Sequence, residues 1–329
     1  MAITVNEAFS EFMKDVVNLI PDSTNKARTS RDNLIDNING FSGDDDFFAI
    51  YQERNLKFGS FARRTKIREL DDIDLMLCLS AEATRTYIES TECIYITGND
   101  SDKANAMLTE GTNNINSTKV INRVISKLSE LNDYSKAEMH KNQEAATLKM
   151  NSYTWNFDII PCFYTKHDFY LIPDGSGNWK KTDPRIDNER TTTVNQKHNG
   201  KILELIRLMK YWNKRKVTLT IGSYLLECMI LNIYEEKETK KNWWIDLEFM
   251  NLLSALSNAI KNDVKDPKGL QGNLNNFNTA DRLKISNALY NAYNKACEAW
   301  NYENDKKQKE AIGKWSEVLG SSFPGYTGN

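Results

Sequence analysis

The stretch that most restricts this chain is Phe58-Gly59-Ser60-Phe61-Ala62-Arg63-Arg64-Thr65, followed by Asp72-Ile73-Asp74 at the head of an apolar run that ends at Leu79. Side chains on a strand alternate between faces, so Asp72 and Asp74 share one face and Ile73 points to the core. Two carboxylates held that close repel by about 4 kcal/mol at an effective dielectric of roughly 20. Hard divalent cations bound through oxygen supply the compensating charge. A second apolar run, Trp155 to Tyr164, carries Asp158. If the two strands are neighbours, Asp72, Asp74 and Asp158 converge into the carboxylate triad that two-metal phosphoryl transfer requires. Gly59-Ser60 suits the same task, since glycine lets backbone approach a phosphate and N–H groups at a helix start bind its oxygens. A Gly-Ser dipeptide or an Asp-x-Asp alone says little; the two at this spacing, with a third Asp in a later strand, are informative.

Charge and cysteine usage narrow the class. The 43 Lys and Arg against 45 Asp and Glu leave a net charge of −2, which argues against a nucleic-acid coat protein. Cys78, Cys93, Cys162, Cys228 and Cys297 are odd in number, with no CxxC, so reduced thiols in a cytosolic protein and no zinc site are expected. His140, His167 and His198 stand in no metal-ligand spacing and read as surface or capping residues. The N-terminus carries Glu7, Glu11, Lys14 and Asp15 within its apolar pattern, so it reads as an amphipathic helix and not a signal peptide. The most apolar stretch, Tyr224 to Tyr234, is interrupted by Glu227 and is too short to span a bilayer.

The pattern divides the chain in three. Up to about residue 54 helices are expected: one on Phe9, Phe12, Val16, Val17 and Ile20, closed by Pro21, and one on Leu34, Ile35, Ile38 and Phe41. The acidic triplet Asp44-Asp45-Asp46 reads as a solvated loop. From about 55 to 195, strands at Ile73–Leu79, Trp155–Tyr164 and Tyr170–Pro173 combine with a helix on Val120, Ile121, Val124, Ile125 and Leu128. After 198 the pattern is helical, on Ile202 to Trp212, Leu225 to Tyr234, Leu247 to Ile260 and Ala280 to Ala299, with a polar loop at Asn262–Asn278. The expected fold class is α+β, with a boundary near 197 that is soft because the N-terminal helices can pack with the C-terminal ones. Arg207, Lys210 and Lys214 make one basic helix face, which is either solvated or a ligand surface.

These residues carry a resemblance. GSFARRTKIRELDDIDLML is similar to the GS-[YF]-x-R-x-T-x-I opening and metal-binding DxD of polymerase-β-type nucleotidyltransferases, and more narrowly of the bacterial cGAS/DncV-like nucleotidyltransferases (CD-NTases). DGSGNWKKTDP, HNGKILELIRLMKYWNKR and IGSYLLECMI resemble that family's later blocks in the same order. The likeness covers about residues 50 to 235 and, more loosely, Asp266 to Phe323; Arg64 stands where many relatives have glycine. It implies a polymerase-β-like core with a mixed sheet (domain 1–197) packed against a C-terminal helical domain (198–329), with the active site in the cleft between them. Asp72, Asp74 and Asp158 are then catalytic and bind two Mg²⁺, with Mn²⁺ as a substitute. Gly59, Ser60, Lys210 and Ser223 would contact the donor triphosphate, and Tyr224 would stack on a base.

The activity implied is the joining of NTPs, ATP and/or GTP first among them, into a cyclic di- or trinucleotide with release of pyrophosphate. The implied setting is bacterial antiphage (CBASS-type) signalling in the cytoplasm, with a downstream effector acting through the product. Regulatory protein partners are compatible with this, whereas neither a membrane nor a nucleic-acid activator is expected. The alternative kept open is transfer of NMP to a small molecule, an RNA end or a protein. A non-catalytic nucleotide-binding protein has no physical reason to keep three clustered carboxylates.

Overall fold

The apolar runs at Asp72 and Asn156 satisfy each other's backbone, and the sheet builds outward from that pair. The computed structural model describes residues 2–43, 47–82, 85–91, 93–98, 102–215 and 218–328; the acidic triplet Asp44–Asp46 lies outside them. In chain order the elements are α1 (Val5–Phe12), α2 (Pro21–Asn39), β1 (Leu56–Phe58), α3 (Gly59–Ala62), β2 (Asp72–Leu79), β3 (Tyr87–Glu89), β4 (Ile94–Ile96), α4 (Asp102–Asn105) and α5 (Ser117–Glu130). There follow β5 (Glu138–Asn142), β6 (Ala145–Lys149), β7 (Asn156–Tyr164), β8 (Tyr170–Pro173), β9 (Trp179–Thr182), α6 (Pro184–Lys197), α7 (Ile202–Lys214), α8 (Ser223–Glu235), α9 (Ile245–Ala259), α10 (Thr279–Asn304) and α11 (Gln308–Leu319). They form two compact units, one of residues Pro21–Arg63 and Leu70–Arg185, the other of Met1–Ile20, Arg64–Glu69 and Ile186–Asn329.

The first unit holds the sheet, in the order β1-β2-β7-β8-β9-β4-β3 with β6 also on β7 and β5 on β6. β2 and β7 run parallel, Asp72 opposite Asn156 through to Leu79 opposite Phe163. β7 is long enough to take two partners along its other edge, β6 at residues 156–159 and β8 at Phe163–Tyr164. Ile73, Leu75, Leu77, Phe157 and Ile159 are buried on one face. The amphipathic α5 buries Val120, Ile121, Val124 and Leu128, and the Asn116 side chain caps it by accepting the Lys119 N–H. The unexpected strands are β1, β3 to β6 and β9, all short.

The second unit is helical, and α1 belongs to it. Thr4 and Glu7 close a capping box at its start, and the helix continues through Met13–Val17 as a π turn. Phe9 lies edge-on to Trp315 at 4.9 Å and to Phe323 at 5.1 Å, which ties α1 to α11 and the segment after it. Pro21 does not close this helix as expected; it opens α2. Proline suits a first helical position, where its missing N–H would have had no partner anyway. The expected boundary at 197/198 falls at the end of α6, while the compact units part at Arg185/Ile186. The reason is that α6 joins the helical core: Val194 is buried in it, and Arg190 pairs with Glu235 of α8 at 2.7 Å. Among the described residues no helix is long and apolar enough to cross a membrane.

Candidate active site

Strand register brings the three aspartates of the sheet unit together. Phe58 stands opposite Asp74, Asp74 opposite Asp158, and Asp158 opposite Thr147, making one row across β1, β2, β7 and β6. Asp72 and Asn156 form the adjoining row on the same face. Asp72, Asp74 and Asp158 are half-buried, and the residues between them are buried on the other side. Opposed residues place their Cβ atoms about 5 Å apart, where two carboxylates repel by roughly 3 kcal/mol at an effective dielectric near 20.

Gly59 is shaped to this row. It follows β1 directly with φ +74°, in the left-handed region, and a Cβ built on it would lie 1.7 Å from Asp74 Oδ2. The glycine thus serves the turn and also clears the space that the Asp74 carboxylate occupies. Ser60 follows, half-buried in the first turn of α3. Gly59→Ala must displace Asp74, and nucleotide transfer is expected to fall about a hundredfold, read by initial rates at saturating NTP beside a circular-dichroism melt. Retained activity would show that Asp74 works elsewhere.

The donor set is carboxylate oxygen gathered on one face of the sheet, the ligand type that fits a hard divalent cation such as Mg²⁺ or Mn²⁺. Among the described residues no group of three His, Cys, Asp or Glu side chains stands ready in ligating arrangement. The triad is therefore defined by strand register and by the Gly59 cradle, not by a closed ligand shell.

Lys210, Ser223 and Tyr224 lie in the helical unit, on α7 and α8. Of the basic face expected on α7, two members are engaged internally. Lys210 is 6 % exposed and its Nζ pairs with Glu227 Oε1 of α8, while Thr65 Oγ1 donates to the same oxygen at 3.0 Å. Arg207 donates to Asn18 Oδ1 and to the Arg64 carbonyl, each at 2.7 Å. Arg64 itself has φ +60°, which gives a backbone reason for glycine there in relatives; a side chain in this region costs about 1–2 kcal/mol. Lys214 is exposed, and so is Ser223 at the start of α8.

Tyr224 is built into a charged cluster. Its hydroxyl donates to Asp187 Oδ1 at 2.8 Å and meets Asp266 Oδ1 at 3.1 Å, and Lys268 Nζ lies 4.2 Å from its ring centre. Burial, then the Cys228 thiol and the Asp187 carboxylate, push its phenol well above the ordinary tyrosine range. Asp266 organises the loop expected at 262–278: it accepts the N–H groups of Leu270 and Gln271 at 3.1 and 2.9 Å and pairs with Lys268 at 3.1 Å. Burial raises its pKa, but the Gln271 N–H and the Lys268 ammonium and N–H together outweigh burial and hold the carboxyl below its ordinary 3.8. A carboxyl depressed in the folded state stabilises above its unfolded pKa and loses that contribution as pH falls through the folded value. Asp266→Ala is therefore expected to cost about 2–4 kcal/mol at pH 7, and the gap in melting temperature from the parent should narrow below pH ~4. A gap that stays constant down to pH ~3 would remove the carboxylate's charge from the account.

Two residues at these sites escaped the sequence. Thr147 donates to Asp158 Oδ1 at 2.6 Å from the neighbouring strand, and nothing local marks it. Glu227 was visible only as a break in an apolar run; a lone carboxylate there was the available signal for a buried partner cation. His198 is not a surface residue as expected: it is buried, with Nε2 on the Tyr234 carbonyl at 2.8 Å. His140 and His167 are exposed, and all five cysteines are free thiols.

A mixed sheet that sets an Asp-x-Asp strand parallel to a third aspartate, beside a Gly-Ser turn, is the core of a polymerase-β-type nucleotidyltransferase. Residues 85–195 match the SMODS model, the Second Messenger Oligonucleotide or Dinucleotide Synthetase domain. The whole chain is 42 % identical over 337 residues to a probable cyclic nucleotide synthase of Bacillus cereus (strain VD146), covering 99 % of each. The fold is that of CdnC in the E. coli MS115-1 CdnC:HORMA-deltaN complex, with TM-score 0.72 at 16 % identity over 97 % of this chain and 98 % of that one. It is also that of the Vibrio cholerae DncV cyclic AMP-GMP synthase in complex with nonhydrolyzable GTP, with TM-score 0.68 at 13 % identity over 98 % and 97 %. The chain belongs to the cGAS/DncV-like nucleotidyltransferase (CD-NTase) family.

Proposed function

We propose that this protein joins nucleoside triphosphates, ATP and/or GTP, into a cyclic di- or trinucleotide with release of pyrophosphate. The observation that carries the reading is the register of Asp74 on Asp158, with Asp72 on the same face, in a chain so similar throughout to a probable cyclic nucleotide synthase. Two divalent ions held by these carboxylates would offset the charge of the triphosphate and of the leaving pyrophosphate. Asp72 and Asp74 serve as ligands, with Gly59 fixing the direction of Asp74. Asp158 faces the attacking ribose hydroxyl, orients it and accepts its proton as the phosphodiester bond forms. Ser60 offers its hydroxyl and N–H to a phosphate oxygen. Closing the ring repeats the same transfer with a hydroxyl of the growing product.

For Lys210, Ser223 and Tyr224 the proposed roles, triphosphate contacts for the first two and base stacking for the third, rest on the family resemblance. The same resemblance supports a cytoplasmic antiphage signalling role in which the product acts on an effector, and the HORMA complex of CdnC supports a search for a regulatory protein partner. The test is release of pyrophosphate from each NTP in turn and from pairs of NTPs, with Mg²⁺ or Mn²⁺. Metal-dependent release that requires particular NTPs is expected. Absence of release from any NTP or pair would overturn the reading.

A further inference from the structure

Asp158 reaches the proposed reaction from β7, and its direction is set from the strand beside it. Thr147 is the residue opposite Asp158 in the antiparallel β6–β7 pair, is 4 % exposed, and places Oγ1 2.6 Å from Asp158 Oδ1. That length is characteristic of a hydroxyl donating to an ionised carboxylate. A β-branched threonine has few χ1 choices, and on a buried strand position between β5 and β7 it has fewer still. The hydroxyl is thus a fixed post, and a carboxylate tied to it through Oδ1 no longer turns about its Cβ–Cγ bond. The direction of Oδ2 follows. Asp74, on the other side of Asp158 in the same row, has its own restraint in the Gly59 cradle. The two opposed carboxylates are therefore held by two unrelated devices, one a missing Cβ and the other a neighbouring hydroxyl.

We propose that Thr147 is a positioning residue for nucleotidyl transfer: its hydroxyl fixes the Asp158 carboxylate in the orientation that receives the cation and the attacking hydroxyl. This rests on the role proposed above for Asp158. Valine has the shape of threonine without the donor, and serine keeps the donor without the methyl. Partners that orient ligating carboxylates are worth about 10–100-fold. Thr147→Val is therefore expected to lower kcat for the first phosphodiester about tenfold or more, with KM for NTP little changed, and to weaken Mn²⁺ binding by a similar factor. Mn²⁺ affinity is read by electron paramagnetic resonance on the full chain without nucleotide. Thr147→Ser is expected to stay within about threefold of the parent in both.

Parent-like kcat and Mn²⁺ affinity in Thr147→Val would overturn the proposal. So would a Thr147→Ser variant as impaired as the valine one, because packing of the methyl would then be what matters. Should the unmodified protein turn over no NTP at all, the functional reading falls, and the Mn²⁺ titration still decides Thr147: equal affinities for parent and valine variant reject it, weaker binding by the valine variant alone supports it.

Discussion

Asp74→Asn is expected to reduce nucleotide transfer by about a thousandfold or more and to leave the melting temperature unchanged or raised. Both halves follow from the row of carboxylates. Asp74 stands opposite Asp158 and two residues from Asp72 on the same face, an arrangement that the sheet does not need for its own pairing. The mutual repulsion of such groups, roughly 3 kcal/mol per close pair at an effective dielectric near 20, is relieved when one is neutralised. Asparagine keeps the volume beside Gly59, so the cradle is not disturbed. Transfer, in contrast, depends on charge at that point, and an amide oxygen can ligate a divalent ion but brings no negative charge to it. Paired assays of initial rate and thermal melting check this. A variant that loses stability and activity together would place Asp74 among the structural residues.

Lys210→Met is expected to produce the largest fall in stability, about 3–5 kcal/mol, or roughly 10 °C in melting temperature. The Lys210 ammonium and the Glu227 carboxylate are 6 % and 3 % exposed, in a core of Leu205, Ile206, Met209 and Leu226. Removing the cation leaves a carboxylate buried in that core, where the Thr65 hydroxyl donates to it at 3.0 Å. The cost is the stranded charge and not the lost attraction, so Lys210→Met combined with Glu227→Met should recover most of the stability. Activity separates the roles of Lys210. If it also serves a triphosphate as proposed, the double variant melts near the parent and still transfers nucleotides poorly. A double variant no more stable than the single one would contradict the account of the pair.

The sequence made some of this visible for identifiable reasons. Asp72-Ile73-Asp74 announces itself because strand alternation is local, and the Gly-Ser turn because glycine is the residue that a left-handed φ and a close carboxylate both demand. The strand ends at Tyr170–Pro173 and the core stripe of α5 were legible in the same way. By contrast, β5 reads Glu-Met-His-Lys-Asn and lies at an edge, where pairing with β6 and not apolar alternation makes the strand. α6 reads as a polar segment because the residues it buries are Pro184, Asp187, Thr191 and Val194, only the last of them a large aliphatic, so its helical period was hidden. Pro21 was ambiguous because proline both ends helices and begins them, and the residues around it did not decide. Thr147 and Glu227 were out of reach for a deeper reason. Their importance is created by the register of β6 on β7 and the packing of α8 on α7, which bring together residues far apart in the chain.

The central claim is tested most directly by product identity. The purified protein is incubated with labelled ATP, GTP, CTP and UTP and with Mg²⁺ or Mn²⁺, beside an Asp72→Ala/Asp74→Ala control, and the products are treated with phosphatase and identified by mass spectrometry. The account predicts a phosphatase-resistant cyclic oligonucleotide from the parent chain and none from the control. Label transferred instead to a macromolecule or a small acceptor, or the same cyclic product from the control, would contradict it.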